Sequence, residues 1–555
     1  VFSQDLTKGE SIAIPIALLI LLAVFGISFA VTIPFVFALC TIMGSLGILY
    51  GIAHLATAPT YTTNLIELIG LGIAVDYSLL IVYRFREELA RGGDRDDAIV
   101  RTMQTAGRAV IFSGIAVALG LALLIAVPVP FMRMMGIAGF LIPCISIIAA
   151  ATLQPVLLSY YGRRGVARKR LRVRQDGVEF AFWVRLARWI MARPWAFLIG
   201  GAAVLTAAAV PAFYLKLTPG STFGIPRTPQ SIRGFDVLTH AVGPGAVAPV
   251  QILVHPAEGS VLSAPVQAAV RRLVAAARRD PETAAIYQGT SGRYVDSSKR
   301  YEQVIIAGRH DYGFPQAQAF VKRLRQQLVP NARFPGGTEA LVGGAPGSGV
   351  DFLHQAFRYF PALIAAVLVL TYFLLLRVFR SLILPLKAIL LNLLSVGAAY
   401  GMLVIVFKWG VGHTLFGLYQ FGQVEGWIPI FLFAMLFGLS MDYEVFLVTR
   451  MRELRDRGED NATAVAHGLE RTGRIITAAA IIMCAAFSGF VAGRIVGLQE
   501  FGLGLAVAIF VDATIVRALL VPSLMAIFGR WNWWLPGPFA RAVRVAPSPL
   551  VDPSS

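Results

Sequence analysis

Two carboxylates stand where a protein can least cheaply hold one. Asp76 lies in Gly-Ile-Ala-Val-Asp-Tyr-Ser-Leu-Leu-Ile-Val-Tyr-Arg-Phe-Arg-Glu, residues 72–87, and Asp442 in Gly-Leu-Ser-Met-Asp-Tyr-Glu-Val-Phe-Leu-Val-Thr-Arg-Met-Arg-Glu, residues 438–453. Each is followed by a tyrosine, Tyr77 or Tyr443, inside a run apolar enough to cross a bilayer. A charged side chain at the centre of a membrane helix costs about 2.5–3.5 kcal/mol or more, so it is by default a functional candidate. The chemistry such a pair can do is proton transfer. A carboxylate takes a proton from one side and gives it to the other, and a phenol that makes and breaks a hydrogen bond with it supplies a two-state element. Neighbouring helix positions point about 100° apart, so Asp76 cannot pair well with Tyr77 on the same helix. Across a two-fold axis Asp76 can meet Tyr443, and Asp442 can meet Tyr77.

The two motifs belong to an internal repeat. A shift of 366 positions superposes Gly72 on Gly438, Asp76 on Asp442, Tyr77 on Tyr443, Arg84 on Arg450, Arg86 on Arg452 and Glu87 on Glu453. The same shift superposes Gly107 on Gly473, Arg108 on Arg474 and Gly136 on Gly502. A duplicated intramembrane carboxylate points to a site at the interface between repeats. An Asp that merely joins helices by hydrogen bonding is the competing reading, and it gives no reason for the Asp-Tyr pair to recur in both halves.

The elements that must position these residues follow from composition. With 57% hydrophobic and only 14% charged residues over 555 positions, the chain reads as a polytopic α-helical membrane protein. Runs long enough to span fall at about 11–31, 33–53, 62–84, 108–128, 134–160, 195–214, 358–376, 381–407, 427–449, 474–493 and 500–527, eleven in all. The net charge of +18 is a matter of topology. Arg84, Arg86, Arg91, Arg95 and Arg101 follow the third run, and a cluster from Arg163 to Arg174 precedes the sixth. Arg450, Arg452, Arg455, Arg457 and Arg471 follow the ninth, and Arg530, Arg541 and Arg544 follow the last. All lie on one side if every run crosses once, which by the positive-inside rule is the cytoplasm. Nucleic acid is not implied, and contact with anionic membrane lipids is secondary. Cys40, Cys144 and Cys484 fall inside apolar runs without metal-ligand spacing, so no metal, cofactor or disulfide is expected.

This places Val1 outside and Ser555 in the cytoplasm of a multi-pass inner-membrane protein. The expected divisions are a first group of five spans (1–160), a basic cytoplasmic linker (161–194), a span opening the second repeat (195–214), an extracytoplasmic domain (215–355), a second group of five spans (356–530) and a cytoplasmic tail (531–555). The second half has a span and a soluble domain that the first lacks. No span precedes residues 1–10 to carry them outside, and the chain starts on Val1, so the expectation is a fragment whose full form adds one span and one external domain, twelve spans in all. Within 215–355, strands are expected at Pro249–Val254, Ala285–Gln288, Glu302–Ala307 and Ala340–Val342, and helices at Pro265–Arg279 and Pro315–Leu328. That order, β-α-β-β-α-β, is the ferredoxin-like split βαβ. Gly/Pro-rich flanks at 218–229 and 343–349 read as linkers.

Taken together, the Gly-x-x-x-Asp-Tyr motifs, the Arg-x-Arg-Glu endings, the span count and the external α+β domain resemble the MMPL (mycobacterial membrane protein large) family of the resistance-nodulation-division (RND) superfamily. The likeness covers essentially the whole chain. It implies an RND-type pseudo-twofold helical bundle with a porter domain, and export of lipids or other hydrophobic envelope molecules driven by the proton motive force, typically in actinobacteria. The coupling ion is H⁺, with no other cofactor, and the partners are a lipid or hydrophobic small molecule and the membrane lipids. The proton relay it implies is Asp76, Tyr77, Asp442 and Tyr443, with Ser113 matching a polar family position; a serine bonding back to its own helix is the alternative for Ser113. Glu444, whose counterpart is Ser78, is a further candidate, for coupling or for lining a cytoplasmic water pocket. Asp512 and Arg517 have no charged counterpart in the first repeat, where Ser146 and Ala151 stand at the aligned positions, and serve either as a buried structural pair or in proton transfer. Lys408, Arg494 and Glu500 fall at the outer boundary and read as snorkelling or exposed. The alternatives are a lipid- or sterol-sensing receptor-like relative and a drug efflux pump of the same superfamily. An enzyme is not indicated, since no nucleophile elbow or metal cluster is present. The cargo's identity and the oligomeric state stay open.

Overall fold

A computed structural model of the chain describes residues 11, 14–22, 28–55, 61–90, 94–166, 178–220, 230–290, 292–420, 422–493, 495–536 and 541. Among them, ten helices are long and apolar enough to cross a membrane. The first expected span, 11–31, lies partly outside the described residues, and each of the ten later positions carries a helix.

The first half contains α1 (Thr32–Ala53), α2 (Tyr61–Ala90), α3 (Arg108–Ala122) and α4 (Pro130–Val166). Next come α5 (Val178–Ala192) and α6 (Pro194–Ala209). The stretch 161–194, expected as a basic linker, therefore contains a helix. Ala187 and Ile190 of α5 are buried against Leu469, with Trp183 and Leu186 beside them, because an amphipathic helix at a membrane boundary has an apolar face to cover.

Residues 248–343 build a four-stranded antiparallel sheet from β2 (Ala248–Pro256), β3 (Thr283–Tyr287), β4 (Glu302–Gly308) and β5 (Thr338–Gly343), in spatial order β3-β4-β2-β5. The helices α7 (Ala264–Arg278) and α8 (Pro315–Arg323) follow β2 and β4 and bury Val266, Val270, Leu273, Phe320 and Val321 against Ile252, Val254, Val304 and Ile306. Arg323 grips Asp280 through two 2.8 Å hydrogen bonds. Burial pushes that carboxyl up, but the bonds from Arg323 and from the Glu282 N–H outweigh it and hold it below the usual carboxylate range. A short parallel pairing of β1 (Leu217–Thr218) with β6 (Val424–Glu425) ties the region to the membrane helices.

The stretch 343–349 is not a linker. Gly343 ends β5, and Gly344 begins α9 (Gly344–Phe379), whose 36 residues run from the sheet into the bundle. Pro346 is tolerated because it lies in the first turn, where its missing N–H would have no partner within the helix. The second half continues with α10 (Ile383–Leu403), α11 (Trp427–Asp456), α12 (Asn461–Val491) and α13 (Val496–Val511), which runs on through a π-helix at Asp512–Leu520 into α14 (Val521–Phe528). Of the tail, residues 537–540 and 542–555 lie outside the described residues, and Asn532, Trp533 and Leu535 before them are buried.

The two motif helices form the centre: 94% of the spanning stretch of α2 and of α11 is buried, against 28% for α1. They cross between halves reciprocally. A Cβ on Gly72 of α2 would stand 3.2 Å from Phe487 of α12, and one on Gly438 of α11 only 2.9 Å from the Val117 Cα of α3. The glycine one turn before each Asp is thus the residue that lets one half approach the other, as small residues do in helix pairs that lack a hydrophobic driving force. Gly438→Val should cost about 1–3 kcal/mol by overpacking. We expect a lower melting temperature in detergent for that variant, and none for Gly47→Ala, where a Cβ would meet nothing within 4 Å.

Candidate functional site

The Tyr443 hydroxyl donates a 2.6 Å hydrogen bond to Asp76 Oδ1, joining α11 of the second half to α2 of the first. Asp76 is 2% exposed and Tyr443 likewise, so the bond is made out of contact with water. A short bond from a phenol is what a buried carboxylate requires, because an unpartnered charge at this depth costs far more than one that is hydrogen-bonded. Met483 Sδ, 3.7 Å from the same hydroxyl, is its second neighbour.

Tyr443 is also held from its other side. The Arg517 guanidinium sits 4.5 Å from the centroid of the Tyr443 ring, a desolvated cation–π contact of a kind worth about 2 kcal/mol or more. A cation over the ring draws electron density from it and makes the phenol a better donor to Asp76. Arg517 is ion-paired with Asp512, and its Nη2 also donates to the Ser440 carbonyl. On an α-helix, residues five apart point about 140° from each other. Here they share a face because Asp512–Leu520 is a π-helix, whose i→i+5 bonding brings such residues nearly into line. The sequence left the role of this pair open, and the Asp-x-x-x-x-Arg spacing was the signal that an ordinary helical reading would discard.

Ser440 and Asn392 were not foreseen. Ser440 Oγ lies 2.8 Å from both Asn392 Oδ1 and Asp512 Oδ2, so its one proton serves two acceptors in turn. A cavity of about 20 Å³ lies among Asn392, Ser440, Tyr443, Asp512 and Arg517, room for a single water. Asn392 Nδ2, Asp512 Oδ1 and Arg517 Nε have no hydrogen-bond partner among the described residues, and so are groups that a water could serve.

The other candidates are placed as follows. Ser113 Oγ donates to the Tyr77 hydroxyl at 3.2 Å, across helices and not to its own. The backbone of Asp442 lies in α11, while its side chain lies outside the described residues. Glu444 is buried, with Arg517 and Lys387 as the cations acting on it. Lys387 in turn donates to Asn532 Oδ1 and stands 4.0 Å from the Phe528 ring centroid. In the first half, Ser78 at the position of Glu444 pairs with Gln154, within 3.3 Å. The 366-residue shift sets Gly26, Ala74, Ser146 and Ala151 against Asn392, Ser440, Asp512 and Arg517, so the charged part of the site belongs to the second half alone.

Glu500 corrects an expectation. It is fully buried, not exposed at the boundary: its Oε2 accepts from the Glu425 N–H at 2.9 Å, pinning β6 to α13. Arg494 lies outside the described residues, and Lys408 donates to the Tyr214 carbonyl. At the basic end of the bundle Arg84 bonds Glu87 and Glu88, and Arg450 reaches back to Glu87 at 3.0 Å, a second polar tie between the halves.

A model of the MMPL family matches residues 1–197 and 225–550. The chain belongs to the MMPL family. It is 36% identical over 542 residues to the heme uptake protein MmpL11 of Mycobacterium tuberculosis, a match covering 96% of this chain and 55% of that protein. It is 34% identical over 541 residues to the mycolic acid-containing lipids exporter MmpL11 of Mycolicibacterium smegmatis, covering 96% of this chain and 56% of the relative. To the trehalose monomycolate exporter MmpL3 of the same organism it is 31% identical over 566 residues, covering 96% and 55%. The chain thus spans a little over half the length of these curated relatives. Among solved structures it is similar in fold to SecDF, a translocon-associated membrane protein from Thermus, with a TM-score of 0.57 and 18% identity over 94% of this chain and 62% of that one.

For this MMPL chain, removing one partner of a buried ion pair should be worse than removing both, since it strands a charge. Arg517→Met and Asp512→Leu should each lower stability by about 3–5 kcal/mol, and the double variant by much less. A double-mutant cycle on detergent-solubilised protein measures the coupling, and additive losses would count against a buried pair.

Proposed function

We propose that the chain is the membrane-spanning part of a proton-driven, secondary active exporter of lipids or other hydrophobic molecules, with its basic end in the cytoplasm and its sheet domain acting as a porter outside. The observation that carries this reading is the Tyr443–Asp76 hydrogen bond, a titratable pair buried between two repeats. Protonation of Asp76 removes the charge that makes the bond strong, so the tie between α2 and α11 weakens when a proton binds and tightens when it leaves. Arg517, over the Tyr443 ring, then faces one carboxylate fewer, and Asp512 with the Ser440 hydroxyl takes up its charge. Asp442 with Tyr77, steadied by Ser113, is the reciprocal pair. Glu444 and Lys387 continue the polar file toward the basic end. A bistable bond at a repeat interface is what rocking of one half against the other needs.

The cargo class follows from the relatives, which are named for lipids that contain mycolic acid, for trehalose monomycolate and for heme. All are large and largely apolar. A lipid-sensing receptor needs no proton path, and the duplicated Asp-Tyr motif speaks for transport.

The test uses the full-length protein in liposomes with an imposed pH gradient and a fluorescent lipid, read in both directions because the relatives' names include uptake. Asp76→Asn and Asp442→Asn keep shape and hydrogen bonding but remove the titrating proton. Each should reduce transport to the level of empty liposomes with little change in melting temperature. Tyr443→Phe should impair it less completely, and a protonophore should stop the wild type. Undiminished transport by both Asn variants refutes the relay.

A further inference from the structure

A cavity of about 500 Å³ lies at the basic end of the bundle, apart from the Asp76 site. Its wall carries Arg84, Arg108, Arg377, Arg380 and Arg450, with Glu453. These residues come from the feet of four helices in both halves: Arg84 from α2, Arg108 from α3, Arg377 and the Arg380 that caps it from α9, and Arg450 from α11. Arg84 and Arg450 are neutralised by Glu87, Glu88 and Glu453. Among the described residues no carboxylate pairs with Arg108 or Arg380, and both are exposed. Guanidiniums that converge on a cavity without acids to match them leave it positively charged. Their planar forks suit the oxygens of a phosphate better than they suit a carbonyl or a halide.

Beyond these, Gln104, Thr105 and Thr449 are polar, and the other six lining residues are apolar. Phe112 lies one helical turn, about 6 Å, from Arg108 toward the bilayer, and Val378 stands between the two arginines of α9, with Phe446 from α11 beside them. A free anion would leave that surface unused. We propose that this cavity binds the phosphodiester headgroup of an anionic phospholipid from the leaflet at the basic end, its acyl chain lying along Phe112, Val378 and Phe446. Basic pockets between membrane helices recognise anionic headgroups by this combination of charge and apolar wall. The site spans both halves, so a lipid seated there touches α3 and α9 at once. It does not rest on the transport reading, and Asp76→Asn should bind the lipid as the wild type does.

The full chain, purified in detergent, is offered phosphatidylglycerol or phosphatidylcholine, and retained lipid is counted by native mass spectrometry. Phosphatidylglycerol should be retained in preference. Arg108→Gln with Arg380→Gln should lower its retention roughly tenfold or more, as the loss of two surface guanidiniums predicts. The Lys pair at the same positions, which keeps the charge and loses the fork, should fall between. Equal retention of the two lipids by the wild type, a comparison that needs no variant, overturns the proposal, as does unchanged retention in the Gln pair. Displacement of the lipid by millimolar inorganic phosphate alone would assign the cavity to a soluble anion and overturn the lipid headgroup.

Discussion

A carboxylate in hydrocarbon must be given its hydrogen bonds by the protein, because the solvent has none to offer. Asp76 receives its bond from a residue of the other repeat, and that places a demand on nearly everything around it. The helices that carry Asp76 and Tyr443 must run through the middle of the bundle, and glycine must stand one turn before each Asp so that α2 and α11 can close on α12 and α3. The Tyr443 ring must be held so that its hydroxyl points outward to α2, and the guanidinium on its face does this. Arg517 then needs a counter-charge of its own. The π-helix that brings Asp512 to it follows from that need, at the cost of helical regularity.

The duplication is therefore not symmetrical in chemistry. Both halves keep the Asp-Tyr motif, the glycine before it and the arginine–glutamate cluster at the basic end. Only the second has the charged group around Asn392, Ser440, Asp512 and Arg517, and only the first has Ser113 against its tyrosine, the second having Ala479 there. A bundle whose halves were alike in charge would give its two carboxylates equal surroundings. This one sets one motif tyrosine, Tyr443, beside a guanidinium and joins the other, Tyr77, to a serine hydroxyl.

The sequence revealed what periodic hydrophobicity and exact repetition can reveal. The long apolar runs marked the spanning helices, and the 366-residue shift picked out Asp76 and Tyr443 and set them opposite each other across a two-fold axis. Three things were not legible. Glu500 read as exposed because a glutamate at a span's edge usually snorkels, and only the tertiary approach of β6 turns it inward. The start of α9 read as a linker because glycines and a proline weaken helix propensity, yet packing against Pro219 and β5 overrides them. Asp512 and Arg517 could not be joined by helical spacing, since five residues is the wrong interval for an α-helix, and Ser440 and Asn392 look like ordinary polar residues until Asp512 is beside them.

The helix α9 has mechanical consequences. Its 36 residues make a rod about 54 Å long that starts on the last strand of the sheet and ends at Phe379, between the Arg377 and Arg380 that line the cavity at the basic end. A rod pivoting about its foot by about 10° carries its head through roughly 9 Å, more than the width of a lipid chain. It is a lever arm with a domain at one end and a crevice at the other, and Pro361, which leaves one rung of its ladder unmade, marks where it can flex. The position of the sheet at its head is thereby tied geometrically to the crevice at its foot.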